Sequence, residues 1–353
     1  MDGLPSIIDS LNARTWHSIA RTLELQLLQP LGDHNIVIGG GKYDEDNRQR
    51  TDSRQMLTIV MPEPPNYEET FTEPSQYLEV DPRFSNLYLY SQFPLGGELD
   101  LTLGAAYEAF ENNLIDTDLW APKIGFNWQP RAHLSLRAAY LERVARPREM
   151  ERTIEPTQVA GFNQLIDDIE GSEIKQFGLG FDIKPGNRLH IGAEFSRRDL
   201  QVPRNFGASY DSRDEQQTRA YLYWTATRRL GLHLSYEKEE RESSSAQLQS
   251  LVTRQLPIGF SYHWPIGAYL SAVGTYVDQE FDGSETIEGE HFWNLDTLVG
   301  YRFPKGYGKF EIVAKNILDE EFLYYDLSFH SPDIQLPQFQ PERQLFARFT
   351  LDF

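Results

Sequence analysis

Residues 341–353 read PERQLFARFTLDF, and from Leu345 every second residue is apolar: Leu345, Ala347, Phe349, Leu351 and Phe353. Phe346, Arg348, Thr350 and Asp352 stand between them. Period two marks a strand with one apolar face. The strand ends the chain on a phenylalanine. Soluble enzymes rarely end this way, whereas a last strand greasy on one side closes an outer-membrane barrel against lipid. It also predicts the signal read by the barrel-assembly machinery.

The same period recurs upstream. Leu99, Leu101, Leu103, Ala105 and Tyr107 alternate with polar or small residues, as do Ile124, Phe126 and Trp128. Phe177, Leu179, Phe181 and Ile183 follow, then Leu189, Ile191, Ala193 and Phe195. Leu232 to Tyr236, Leu256 to Trp264 and Leu295 to Phe303 continue it. These runs are roughly 9–12 residues, the length that crosses a bilayer at a tilt. No apolar run of ~18 residues occurs, so no helix is predicted to span.

Composition agrees. Aromatics make up 13% of the 353 residues, enough for belts at both membrane surfaces. Trp128, Trp224, Trp264, Tyr301 and Phe303 are the expected interface aromatics. The net charge of −20 argues against a nucleic-acid partner. Most of the acid lies between strands, as solvated loops or as cation sites among lipopolysaccharide phosphates. With no cysteine, disulfides, thiol catalysis and cysteine zinc sites are excluded. The start, MDGLPSIIDSLNARTW, is no signal peptide, so export requires a different native start or a longer precursor.

Connections fall into two alternating classes. Short ones lie at 29–34, 94–98, 129–133, 184–188, 227–230, 264–267 and 304–308, with Gly and Pro turn signals. Longer polar ones lie near 45–83, 111–119, 146–172, 200–214, 242–250, 281–290 and 320–340. Short periplasmic turns and long extracellular loops are the pattern of an outer-membrane barrel. The count gives about fifteen strands, the first near Thr22–Gln29 and running inward. Residues 1–20 are then an irregular segment or a truncated strand, and 21–353 the barrel.

Two segments carry a family resemblance. GKFEIVAKNILDEEFLYYD (308–326), followed by QPERQLFARFTLDF (340–353), resembles the end of TonB-dependent outer-membrane receptors. There an Asn-Leu-Leu/Phe-Asp stretch ends the penultimate strand and an Arg opens the last. Asn316, Asp319, Arg343 and Phe353 take those places. PKIGFNWQPRAHLSLRAAYLERVARP (122–147) looks like a hairpin common in those barrels. TIEPTQVAGFNQLIDD (153–168) with EFSRRDLQVP (194–203) resembles a subgroup whose barrel follows tetratricopeptide repeats. The resemblance implies a barrel for solute uptake, yet no plug domain or energy-coupling box is seen, and such receptors have 22 strands.

Gly39-Gly40-Gly41 follows a strand but lacks the Lys-Ser/Thr of a phosphate loop, and reads as close strand packing. One wall is notable. His190, Glu194 and Arg198 share the non-lipid face of one strand, Arg219, Tyr221 and Tyr223 that of the next, and His233 and Glu237 that of a third. They form either an ion-paired wall of a water-filled lumen or a selective solute path. A hydrolase would need a nucleophile beside a base, which the sequence does not reveal. The 146–172 loop mixes both charge signs with Val159, Phe162 and Leu165. It is either a plain surface loop or one that folds into the barrel.

The reading is therefore an all-β antiparallel transmembrane β-barrel of 14–16 visible strands in a bacterial outer membrane. It contacts lipid and lipopolysaccharide and passes or binds an unknown solute, with no cofactor, metal or catalysis. The alternatives are the barrel of a surface-polysaccharide exporter with upstream helical repeats, and a soluble β-sandwich binding module.

Overall fold

The computed structural model describes residues 6–59, 67–72, 74–147, 150, 153–164, 168–204, 209–244, 248–283, 289–324, 338–339 and 342–352. Among them the first strands are β1 (Ser6–Leu31), β2 (His34–Ile59), β3 (Tyr67–Thr72), β4 (Gln76–Val80) and β5 (Arg83–Leu95). Next come β6 (Leu99–Glu111), β7 (Asp116–Arg131), β8 (Leu134–Val144), β9 (Gln158–Val159), β10 (Phe162–Asn163) and β11 (Glu173–Ile183). β12 (Leu189–Arg204), β13 (Ser209–Thr225), β14 (Leu230–Ser243), β15 (Leu248–His263) and β16 (Ala268–Gly283) follow. The chain ends with β17 (Glu290–Arg302), β18 (Gly308–Lys315), β19 (Leu323–Tyr324), β20 (Gln338–Phe339) and β21 (Gln344–Leu351).

Seventeen of these form one antiparallel sheet. It is fifteen staves around, because β3, β4 and β5 lie one after another along β2. Each stave pairs with the next in sequence. β8 pairs with β11 across the 145–172 segment, and β18 with β21. No pairing between β1 and β21 is found among the described residues.

Alternation sorts the two faces. Phe177, Leu179, Ile258, Val299 and Ile312 point outward and are exposed, as lipid-facing residues must be. Their neighbours Gly178, Gly180, Gly259 and Gly300 point inward. The register aligns aromatics into two outward rows. Trp128, Trp224, Trp264, Tyr301 and Phe303 lie near the short turns. Tyr107 opposes Trp120, and Tyr276 opposes Trp293, at the far edge. Trp120 to Trp128 is eight residues, about 26 Å of strand, or roughly 20 Å of membrane normal at a ~40° tilt. The apolar band thus has the height of a hydrocarbon layer. A single tall sheet with its apolar side facing out excludes the β-sandwich alternative, whose apolar faces would be paired.

Three expectations need correction. Residues 6–20 are not irregular: they continue β1, pairing with β2 from Ser6↔Ile59 to Leu31↔His34. Residues 45–59 are strand, not loop, as are much of 67–80 and of 111–119. Strands also run into 200–214, 242–250 and 281–290. The physical reason is common to all. Beyond the apolar band no lipid lies against the outer face, so pairing persists while the alternation that announces it disappears.

Candidate functional site

The described residues between β8 and β11 (145–147, 150, 153–164 and 168–172) lie against the inner face of the sheet. Ala160 (φ 48°) and Gly161 (φ 85°) form the two-residue turn of the β9–β10 hairpin, with positive φ at both central positions. That turn pushes Val159 and Phe162 onto the wall. They join a buried cluster with Tyr88, Tyr90, Ala106, Ala121, Ala139 and Leu141, from β5 to β8. The wall is small where the segment is large. A Cβ on Gly125 would stand 2.7 Å from Val159 Cγ1, and one on Gly178 would overlap the Phe162 ring. Met150 joins Tyr43, Phe84, Phe110 and Val144 in a second cluster.

Two carboxylates hold the segment. Glu155, 2% exposed, accepts at Oε2 from Asn86 Nδ2 and Arg146 Nη2, both 2.8 Å, and at Oε1 from the Tyr90 hydroxyl at 2.7 Å. Burial alone would raise its pKa, but the Arg146 charge overrides this and the net shift is downward. Asp168 Oδ2 accepts from Arg143 and Arg198, and Arg198 also donates to Glu215 at 2.7 Å. β1 adds a third hold: Glu24 accepts from the Thr153 hydroxyl at 2.6 Å and the Ile154 amide at 2.8 Å. Gln164 donates to Tyr90 at 3.0 Å. Below the segment, the fully buried Lys123 donates to the Glu142 carbonyl at 2.6 Å and pairs with Glu108 at 3.5 Å.

The eight wall residues named from sequence share the inner face of β12 to β14 but form two groups. His190 meets Asp182 at 3.2 Å and the Tyr221 ring edge-on at 5.7 Å. Tyr221 and Tyr223 lie 5.6 Å apart, and Tyr223 stacks on His233 at 6.3 Å. Arg219 pairs with Glu237 at 3.3 Å, and Glu194 with Arg137. Arg198 stands apart, in the buried network with Asp168. Sequence reasoning missed Arg137, Arg143 and Asp182. Arg137 and Arg143 stand at inward positions of β8 (register partners Gly180 and Ile174), which the alternation already marked.

The carboxy-terminal motif is a staple. Asn316 takes φ 47° and Asp319 φ 58° in the turn after β18, where Asn316 Oδ1 accepts from the Glu320 amide at 3.1 Å. Arg343 donates to the Ile317 carbonyl at 3.2 Å and pairs with Asp319 at 3.3 Å, fixing where β21 begins. Phe353 lies outside the described residues, as do Arg148, Glu149, Glu151, Arg152, Leu165 and Asp167. No cluster of three or more potential metal ligands occurs among the described residues.

A family model described as "TonB dependent receptor-like, beta-barrel" matches residues 3–317. No curated protein matches the chain. Among solved structures, the copper transporter OprC superposes with TM-score 0.66 at 13% identity, over 96% of this chain and 58% of that one. The unliganded ferric citrate transporter FecA gives 0.64 at 12%, over 98% and 56%. The ferripyoverdine receptor of the outer membrane of Pseudomonas aeruginosa gives 0.55 at 13%, over 96% and 48%. At these identities the likeness is one of fold. The chain spans about half the length of the solved structures it matches.

Proposed function

The chain belongs to the TonB-dependent receptor-like β-barrel family, and on that premise we propose that it is an outer-membrane barrel whose inner face carries or binds a solute. The 146–172 segment narrows that path. The wall of His190, Glu194, Arg219, Tyr221, Tyr223, His233 and Glu237 lines what remains open. Arg198 anchors the segment through Asp168. Trp128, Trp224, Trp264, Tyr301 and Phe303 seat the barrel at one membrane surface. The outer band meets lipid, and the charged rows beyond it meet lipopolysaccharide. The barrel-assembly machinery inserts the chain. No covalent step is involved.

The observation that carries this reading is the burial of Glu155 and Asp168 on wall residues of β5, β8 and β12. A loop that merely covered the rim would not place two carboxylates among inward-facing arginines, tyrosine and asparagine. A charge held in low dielectric survives only with such partners. Deleting residues 155–168 is expected to raise single-channel conductance in a planar bilayer. Unchanged conductance would make the segment inert to the path.

A further inference from the structure

Where the covered and open parts of the wall meet, beyond the apolar band, the inner faces of β13 and β14 carry Asp211, Arg213, Glu215 and Arg241. Arg198, Arg204 and Arg143 stand near them. That is five arginines around three carboxylates, counting Asp168. Each carboxylate already takes at least one arginine, although Glu215 Oε1 and Asp168 Oδ1 have no hydrogen-bond partner. Asp211 takes Arg204 at 3.2 Å, the Ser243 hydroxyl at 2.8 Å and the Ser244 hydroxyl. Glu215 takes Arg198 at 2.7 Å, and Asp168 takes Arg143 and Arg198.

Arg213 and Arg241 are left over. Arg213 is only 6% exposed. Nε of both, and Nη1 of Arg241, are buried without a partner. In the ladder Arg213 opposes Ser243 and Arg241 opposes Glu215, so the two guanidiniums are diagonal neighbours. Burial, and then the Arg213 charge, pull Arg241 down to about 10, which leaves it cationic at neutral pH. Glu215 and Asp211 act on both cations, but with five arginines to three carboxylates the buried cluster keeps an excess of positive charge that is costly to hold, and planar guanidinium forks match oxyanions.

We propose that Arg213 and Arg241 form a receiving site for a compact oxyanion, a carboxylate or phosphate group on the solute that enters the inner face. This rests on the reading of that face as a solute path. The anion would sit beside the Arg198–Asp168 contact, and so beside one hold of the inserted segment. Each guanidinium would give it a charge-assisted pair of hydrogen bonds.

The test is thermal unfolding of the whole chain folded in detergent, with citrate or inorganic phosphate against chloride at equal ionic strength. One of the two oxyanions is expected to raise the midpoint in a saturable way, and the one that does so names the group. R241Q should weaken that binding about tenfold to a hundredfold. Without anion, R241Q should melt no lower than the parent, because it relieves repulsion; a purely structural arginine would predict a lower midpoint. R213Q with R241Q should abolish the shift, and if that pair does not fold, R241Q alone decides. No saturable shift with either anion, an equal shift in R241Q, or a lower R241Q midpoint without anion would overturn the site. The readout is independent of conductance. Failure here, with the 155–168 deletion still raising conductance, removes the site and spares the path; the reverse pair of results does the opposite.

Discussion

The inner face of this sheet has two unlike parts. From β5 to β11 small residues, Ala106, Ala121, Gly125, Ala139 and Gly178, alternate with buried polar ones such as Asn86, Glu108, Lys123 and Arg143, and the inserted segment covers it. On β13 and β14 it is built of Arg219, Tyr221, Tyr223, His233 and Glu237, and Tyr223 and Arg219 remain exposed. The outer faces of the two parts are alike. The same strand pattern therefore supports a packed interior on one side and a wet wall on the other. What separates them is the room that the small inward residues leave for the segment, not the strand.

The largest expected effect probes the hold on the covered part. Glu155→Gln removes the charge that neutralises buried Arg146, and breaking such a pair costs about 3–5 kcal/mol. The segment should come loose, seen as new protease sensitivity within 153–164 and higher conductance. Acid should mimic this. The folded-state pKa of Glu155 lies below its unfolded value, so its contribution is complete above the ordinary carboxylate pKa and is lost as pH falls through the lowered value. Conductance that stays flat from neutrality down through that range would break the assignment of Glu155 as the hold.

The next effect shows that the contrast stops at the inner face. Leu179→Arg lies behind the covered part and Ile258→Arg behind the open part, and both residues are exposed to lipid, at 47% each. Each substitution should cost about 2–4 kcal/mol near the midplane in a folding titration into vesicles. A penalty on one part alone would mean that the other is not in lipid. The smaller effect sharpens the contrast within the inner face. Gly178→Val must overlap Phe162 and should cost about 1–3 kcal/mol. Gly231→Val, on the open part, meets only the Ser261 hydroxyl and should be near neutral. Equal costs would remove the distinction.

The strands that cross the band were legible because lipid on one face forces alternation: Leu179 and Leu189 to Phe195 announce themselves. The upper part of β1, ARTWHSIA (13–20), was not, because all of these residues are exposed and no residue type is excluded from either face. Trp120 and Trp293, the second aromatic row, sit among polar neighbours at the band's edge, where the pattern fades. The inserted segment was half legible. Val159 and Phe162 pointed to an interior, and the charges were visible. Their partners were not: Asn86 and Tyr90 lie over sixty residues before Glu155, and only the folded sheet brings them to it. Arg198, read as part of one wall with His190 and Glu194, proved to serve the segment instead, since β12 runs out of the band between Phe195 and Arg197.

The central claim is that the β9–β10 hairpin of the segment packs on the covered part. The chain has no cysteine, so a pair can be placed cleanly. Phe162 Cγ falls 2.8 Å from where a Cβ on Gly178 would stand, within reach of a disulfide between the two positions. Phe162→Cys with Gly178→Cys should cross-link in the folded, oxidised protein, as read by mass spectrometry, while Phe162→Cys with Gly231→Cys should not. Absence of the first cross-link, or equal yield of the two, would contradict the account.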